Sequence, residues 1–137
     1  MRRMAVILFS LFLVLQLSAA TAFCADDNEG IMPMAENYDT ARAIISLSNN
    51  TATVTGTIIG IAGQTTKTSV HLYLQRYVNG SWVNVDDWLS SGYTASRSLT
   101  KTKTVTKGYK YRSKAVCEAS SGSSKETVTK YSSSVTC

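Results

Sequence analysis

The dipeptide Asn79-Gly80, which separates two runs of alternating residues, limits the possible folds of this chain more than any other sequence feature. A two-residue type I′ turn needs a positive φ at both central positions, and Asn-Gly accepts that conformation readily. The pattern predicts a β-hairpin over residues 70–89. In this hairpin Val78 faces Ser81, and the remaining facing pairs follow from the same register.

This register sorts the hairpin side chains onto two faces, because successive side chains of a strand point to opposite sides. One face pairs Leu74 with Val85 and Val70 with Leu89, and these residues suit a hydrophobic core. The other face carries aromatic and polar residues in four predicted pairs: Tyr77–Trp82, Gln75–Asn84, Tyr73–Asp86 and His71–Trp88. A core does not require such a face, so it is a candidate for a binding surface.

The N-terminus has the pattern of a secretory signal peptide over residues 1–22. Arg2 and Arg3 precede an apolar run of residues 4–17, and Ala20-Thr21-Ala22 fits the small-x-small cleavage rule. The run is shorter than the roughly 20 residues that a spanning helix needs, and no later segment is long enough. We therefore predict a secreted, extracellular mature chain without a transmembrane segment. A lipid anchor at Cys24 is the alternative, although Phe23 fits lipoprotein processing poorly.

The charges of the mature chain divide it into two parts. Residues 23–40 hold five acidic side chains and no basic ones, with Gly30 and Pro33 among them. Residues 41–137 hold 12 basic and 4 acidic side chains. We interpret residues 23–40 as an acidic leader or linker and residues 41–137 as one folded domain. The leader could lie against the basic domain.

From Arg42 onward the chain is rich in Thr, Ser, Val and Tyr, contains no proline and shows no sustained helical period. This composition favours strands. In residues 51–60 apolar residues and glycines alternate with threonines, which predicts a strand with its threonines outward. In all, about seven strands are predicted, over residues 43–47, 51–60, 70–78, 81–89, 94–106, 109–119 and 126–135. We predict an all-β fold, an antiparallel β-sandwich of the immunoglobulin-like kind, with an up-and-down barrel as the alternative.

Several segments resemble immunoglobulin-like and fibronectin type III-like modules. Tyr109-x-Tyr111, at the start of the penultimate strand, resembles the tyrosine corner of those folds. The segments 52–56, 74–82, 107–112 and 126–127 also look like a pattern of small secreted proteins of Gram-positive bacteria, a family without an assigned activity. The resemblance implies a β-sandwich over residues 41–137 and no catalytic residues.

The three cysteines cannot all pair within one chain. A hairpin turning near Gly122 places Cys117 opposite residue 126 or 127, so Cys137 would lie over about 30 Å away. A disulfide between these two would need the last segment to fold back. Cys24, on the leader, could reach either of them. The pattern leaves the pairing open.

The residue types of hydrolytic and metal chemistry are sparse. His71 is the only histidine, and no Gly-x-Ser-x-Gly turn is present to supply a nucleophile. The adjacent acids Asp86 and Asp87 point to opposite faces of a strand, so they cannot form a facing carboxylate pair. Asp87 falls opposite Leu72 on the core face, which predicts a bulge or a strand end there. We predict a protein that is not an enzyme and has no metal site and no cofactor.

The remaining chemistry is a surface of aromatic, amide and basic side chains. A basic run, residues 97–114, ends in three cations that alternate outward along the penultimate strand. In a sandwich that strand borders the first strand of the hairpin, so its cations could flank the aromatic face. The predicted ligand-binding residues are Tyr73, Tyr77, Trp82, Trp88, Gln75, Asn84, Asp86, Lys110, Arg112 and Lys114.

Such a surface suits a carbohydrate or an anionic cell-surface polymer, because rings stack on aromatic faces and anions are attracted to lysine and arginine. The secretion signal disfavours nucleic acid as the partner. A structural role offers another interpretation, in which aromatic pairs stabilise the sheet and the cations keep it soluble. A secreted protein-interaction or bacteriocin-like protein is the alternative function.

Overall fold

A computed structural model describes residues 35–137, and these residues form antiparallel β-strands joined by turns. The fold class predicted from the sequence is confirmed. Eight strands follow one another along the chain: β1 (Tyr38–Ser48), β2 (Thr51–Gly60), β3 (Lys67–Val78), β4 (Ser81–Gly92), β5 (Ser96–Thr104), β6 (Lys110–Ser121), β7 (Ser124–Tyr131) and β8 (Val135–Thr136).

The strands form two sheets that pack face to face. The smaller sheet has the order β1-β2-β5, and the larger one has the order β4-β3-β6-β7, with β8 also paired to β6. The predicted last strand, residues 126–135, is thus divided into β7 and β8. Between them the backbone N–H of Ser132 still donates to the carbonyl of Ser113, so the chain stays beside β6 although its regular strand pairing is interrupted at residues 132–134.

The core lies between the two sheets and follows from the period of two in each strand. In β2 the alternate residues from Ala52 to Gly60 are buried, whereas the threonines between them lie on the outside, as predicted. Gly56 is needed where the sheets approach closely, because a Cβ atom there would lie 2.8 Å from Cγ1 of Val70. The largest fully buried apolar side chains are Tyr111, Ile58, Leu72, Leu74, Val54 and Val70.

The β3–β4 turn has the predicted type. Asn79 has a φ of 50° and Gly80 a φ of 83°, as a type I′ turn requires. From the turn to Gln75 the register also agrees with the prediction, because Val78 faces Ser81 and Gln75 faces Asn84.

Beyond Gln75 the predicted register of the hairpin is wrong. Leu74 faces Asp86 instead of Val85, because a β-bulge inserts Val85 as an extra residue in β4. Each later residue of β4 is therefore displaced by one position. The observed pairs are Tyr73–Asp87, Leu72–Trp88, His71–Leu89 and Val70–Ser90. This displacement moves Trp88 to the inner side of the sheet and Asp87 to the outer side, and it removes the predicted conflict at Leu72.

A tyrosine corner lies at the start of β6, as the resemblance to immunoglobulin-like modules implied. Tyr111 is almost fully buried, and its hydroxyl donates a hydrogen bond of 2.7 Å to the carbonyl of Thr106. This contact ties the β5–β6 connection to the core, where Val105 is also buried.

The two cysteines of the described residues are both free. Cys117 is buried and faces Val128 in β7, close to the predicted position. Cys137 lies beside the start of β6, where its N–H donates to the carbonyl of Tyr109. The two thiols therefore lie at different points along β6. Cys24 lies outside the described residues.

The described chain begins just ahead of β1. Asn37 is buried, and its backbone N–H donates to the Glu126 carboxylate at 2.6 Å. β1 itself begins at Tyr38, ahead of residue 41, where the change in charge placed the start of the domain. The signal-peptide prediction and most of the predicted leader lie outside the described residues. Within residues 35–137, no helix is long and apolar enough to cross a membrane.

Candidate functional site

The outer side of the larger sheet brings together residues from β3, β4, β6 and β7, and we refer to it as the outer face. Arg112 of β6 faces Gln75 of β3, and Lys114 lies between Tyr73 of β3 and Tyr131 of β7. The sequence-predicted residues that lie on this face are Tyr73, Gln75, Tyr77, Trp82, Asn84, Lys110, Arg112 and Lys114. The predicted approach of the β6 cations to the aromatic residues is therefore present.

Arg112 is the centre of this arrangement. Its guanidinium carbon lies 4.3 Å from the ring centroid of Trp82 and 4.2 Å from that of Tyr131. Cation–π contacts of this kind contribute about 0.5–1 kcal/mol each at exposed sites. Nε of Arg112 also donates a hydrogen bond of 2.8 Å to Oε1 of Gln75. The guanidinium is thereby fixed in position between two rings.

A chain of side-chain hydrogen bonds connects Arg112 to the neighbouring strands of the sheet. Gln75 is only 6% exposed, although it lies on the outer side of the sheet, and its side chain is in contact with those of Arg112 and Asn84. Its Nε2 donates a hydrogen bond of 2.9 Å to Oδ1 of Asn84. The oxygen and the nitrogen of the buried amide therefore each have a hydrogen-bond partner, which offsets much of the cost of burying them. The chain Asn84–Gln75–Arg112 runs across β4, β3 and β6.

A second cluster lies further along β3. Nζ of Lys114 is 5.2 Å from the ring centroid of Tyr73, whose hydroxyl is 2.9 Å from Nδ1 of His71. Nε2 of His71 is 2.6 Å from Oδ2 of Asp87. A carboxylate only accepts, so Nε2 of His71 donates to Asp87, while Nδ1 lies within hydrogen-bond distance of the Tyr73 hydroxyl.

The outer face has an uneven distribution of charge. The ion pairs within residues 35–137 are Lys103–Asp86 and Lys125–Glu118, and the Asp87 carboxylate is in contact with the imidazole of His71. None of them includes Arg112, Lys114 or Lys110, the exposed first residue of β6. In the described part of the chain, these three cations therefore have no carboxylate within salt-bridge distance, and one end of the outer face is positively charged.

Two predicted site residues lie elsewhere, and the bulge at Val85 is the reason. Trp88 faces Leu72 and packs against the core, so its assignment to the binding surface is wrong. Asp86 faces Leu74 on the inner side of β4, where its Oδ2 lies 2.9 Å from Nζ of Lys103 in β5. The hydrogen bond from Lys103, followed by that from the backbone N–H of Asp87, holds the pKa of the Asp86 carboxyl below its ordinary value of 3.8.

The basic run also divides between two sites. Arg97 and Lys103 of β5 face Ile58 and Ala52 of β2, which places them on the inner side of the smaller sheet. Arg97 reaches across to β4, where Nη1 donates a hydrogen bond of 2.8 Å to Oγ of Ser90. Through Arg97–Ser90 and Lys103–Asp86, these cations connect the edge strands β5 and β4 of the two sheets. Only the β6 members of the run belong to the outer face.

Tyr131 and Asp87 belong to the outer face but were not predicted. The position of Tyr131 follows from the β6–β7 turn, because Ser121 faces Ser124 and this register brings Tyr131 opposite Lys114. The two-residue turn Gly122-Ser123 would have indicated this register, as Asn79-Gly80 does for β3–β4. The sequence-based register contained no bulge and therefore placed Asp87 on the inner side.

No known family model matches this chain, and no curated protein matches it. Among solved structures, the chain is similar to R. palustris CsgH with 13% identity and a TM-score of 0.38, over 67% of this chain and 90% of that one. It is also similar to the CARDB domain of a Pyrococcus furiosus protein in complex with di-metal ions, with 21% identity and a TM-score of 0.39, over 72% of this chain and 90% of that one. Neither likeness is close enough to carry an argument about function.

Proposed function

We propose that this chain is a secreted, non-enzymatic binding module that attaches to an anionic polymer, such as an acidic glycan or a wall polymer, through its outer face. The observation that carries this proposal is the state of Arg112. The guanidinium is held between Trp82 and Tyr131, and no hydrogen bond within residues 35–137 uses its two terminal nitrogens. A planar, fixed guanidinium suits carboxylate, sulfate or phosphate groups, which accept two parallel N–H bonds.

The aromatic contacts favour an anionic ligand over a neutral sugar. One face of the Trp82 ring is covered by Arg112, and Tyr77 packs against the same ring at 5.2 Å with an interplanar angle of 57°. The Tyr131 ring is likewise in contact with Arg112. Arg112 therefore occupies one face of each of these two rings, and that face is not available for stacking against a sugar. Lys114 and Lys110 add positive charge beside Arg112, so we expect an affinity that falls with salt.

The decisive experiment measures binding of the mature chain to dextran sulfate, with neutral dextran as the matched polymer, at low and high salt. Arg112→Gln removes the fixed cation, and Arg42→Gln removes an exposed arginine on the outer side of the smaller sheet. We expect Arg112→Gln to weaken binding by about tenfold at low salt, whereas Arg42→Gln changes it by less than about twofold. Arg112→Lys keeps the positive charge but removes the planar guanidinium with its two parallel N–H donors, so we expect a loss of affinity smaller than that of Arg112→Gln.

Two results would contradict the proposal. The first is an absence of dextran sulfate binding at low salt. The second is an equal loss in Arg112→Gln and Arg42→Gln, since this would mean that net charge alone attracts the polymer. Circular dichroism and thermal melting of each variant serve as folding controls.

The secretion part of the proposal rests on residues 1–22 and on the resemblance to small secreted proteins of Gram-positive bacteria. It is tested by the intact mass of the exported chain. A mass that corresponds to a chain starting at Phe23 supports cleavage after Ala22. A lipid-modified Cys24 at the N-terminus would instead indicate a membrane-anchored form.

A further inference from the structure

Three of the four sheet edges within residues 35–137 carry features that prevent pairing with another strand. The β4 edge is broken by the bulge at Val85, which Asp86 and Asp87 follow. The β5 edge has inward-pointing cations, among them Arg97 and Lys103. The remaining edge is interrupted between β7 and β8. Bulges, inward charges and short edge strands are the devices by which β-proteins avoid edge-to-edge association.

The β1 edge has none of these devices over most of its length. The nine residues from Thr40 to Ser48 pair with β2 in an unbroken register, and the one irregularity lies between Tyr38 and Thr40. Arg42 is the only charged residue of these nine. Ile44, at the centre, is 48% exposed on the outer side of the smaller sheet. A long, regular edge strand with an exposed isoleucine at its centre is suited to pairing with a further strand.

The inner side of β1 is also incompletely covered. Its apolar residues Ala41, Ala43, Ile45 and Leu47 pack against the core but are only partly buried. The corresponding residues of the central strand β2, such as Val54 and Ile58, are fully buried. A strand added beside β1 would cover this inner row and complete its burial, which is favourable by about 25 cal/mol for each Å² of apolar surface removed from water.

We propose that this edge binds a second copy of the chain, with the two β1 strands antiparallel and a two-fold axis at Ile44. The strand is self-complementary about that residue. Apolar residues of the inner side meet apolar ones, and polar residues of the outer side meet polar ones. The facing pairs are Ile44–Ile44, Ala43–Ile45, Arg42–Ser46, Ala41–Leu47 and Thr40–Ser48.

The charges of the strand agree with this register. Arg42 of each copy faces Ser46 of the other, so no like charges lie directly opposite each other. The pairing is isologous, since the same surface is used by both copies, and it closes at two subunits. It joins the two smaller sheets into one of six strands and leaves both outer faces free. The inference is independent of the proposed function, because β1 contains none of the residues of the outer face.

Sedimentation equilibrium tests the proposal on the mature chain from about 10 μM to about 1 mM, the range expected for an interface of this limited size. We expect the mean mass to rise from monomer to dimer. Ile44→Lys places two like charges opposite each other and is expected to raise the dissociation constant at least about tenfold. Ile59→Lys is the matched control, because Ile59 is 39% exposed on the same sheet but lies in the central strand β2.

A cross-linking measurement tests the register. Ile44→Cys is made in a chain in which Cys24 and Cys137 are serine and Cys117 is alanine, with Ile59→Cys in the same background as control. Facing Cα atoms of an antiparallel pair are about 4.5–5.5 Å apart, within the range of a disulfide. We expect an oxidised dimer with Ile44→Cys and little with Ile59→Cys. A monomeric mass at every concentration, or equal cross-linking of the two variants, overturns the proposal.

Discussion

Trp88 faces Leu72 across strands β4 and β3, on the inner side of the larger sheet. Trp82, on the same strand, faces Tyr77 on the outer side. The two tryptophans are six residues apart in the chain and would share one face of an unbroken strand. The bulge at Val85 separates their roles, so that one packs against the core and the other holds Arg112.

This difference predicts unequal effects on stability. Trp88→Ala removes a large side chain from the core boundary and is expected to lower the free energy of unfolding by about 2–4 kcal/mol. Trp82→Ala removes one cation–π contact and an aromatic pair, so we expect a loss of about 1 kcal/mol. Denaturant titration followed by circular dichroism measures both. A larger loss for Trp82→Ala would mean that the register of β4 is not as described.

The tyrosine corner gives a second prediction. Tyr111→Phe keeps the buried ring but removes the hydrogen bond to the Thr106 carbonyl. We expect the free energy of unfolding to fall by about 1–2 kcal/mol, because an acceptor near the core loses its donor. Tyr109→Phe is the control, since Tyr109 is 37% exposed and its hydroxyl makes no hydrogen bond within residues 35–137. Equal effects of the two substitutions in denaturant titrations would argue against a role of the corner.

The Asp86–Lys103 contact predicts a dependence of stability on acid. Because the pKa of Asp86 is lowered in the folded chain, its contribution is complete above the pKa of the unfolded state, near 3.8, and is lost as the pH falls through the folded value. Lys103→Gln is expected to bring the pKa of Asp86 back towards 3.8 and to flatten the acid limb of the stability curve. The pKa is measured by carboxyl NMR titration.

Lys125→Gln is the matched comparison for that titration. The hydrogen bond from Lys125 holds the pKa of Glu118 below its ordinary value of 4.5, at the opposite end of the outer face from Arg112. We expect this variant to raise the pKa of Glu118 and to leave that of Asp86 unchanged. A shift of both carboxyl groups in either variant would show that the change acts through the overall charge.

The cysteines predict selective reactivity. Burial raises the pKa of the Cys117 thiol to about 11, so at pH 8 it is neither accessible nor ionised. Iodoacetamide is expected to modify Cys137 in the folded chain, and to modify Cys117 only after denaturation. Peptide mass spectrometry of a native and a denatured sample distinguishes the two sites. Rapid native labelling of Cys117 would show that the strand β6 opens locally.

Much of the fold could be predicted from the sequence because local rules determine it. The Asn79-Gly80 turn and the threonine alternation of β2 depend only on residues close together in the chain, and both are confirmed. The bulge at Val85 does not follow from such local rules, because it depends on the tertiary packing of Trp88 on the inner side of the sheet. The predicted conflict of Asp87 with Leu72 was nevertheless a local sign of it.

The candidate site could be predicted only in part. Arg112 and Lys114 alternate outward along β6, and that strand borders β3 in the common sandwich arrangement, so their approach to Tyr73 and Trp82 was expected. Predicting that Tyr131 lies on the outer face would have required the register of the β6–β7 hairpin. Predicting that Lys103 points inward would have required knowing that β5 pairs with β2, and no local sequence pattern specifies that pairing.

The pairing of β2 with β5 has a consequence for the kinetics of folding. Thr55 and Thr100, whose hydroxyls lie 2.9 Å apart, are separated by 45 positions in the chain. The smaller sheet is completed only when β5 reaches β2 across the intervening chain, and such long loop closures slow folding to milliseconds or seconds. During that interval the chain exposes unpaired strand edges, which favour aggregation. We therefore expect the yield of folded protein from the cell to depend strongly on temperature and expression rate, more than the stability of the folded state would suggest.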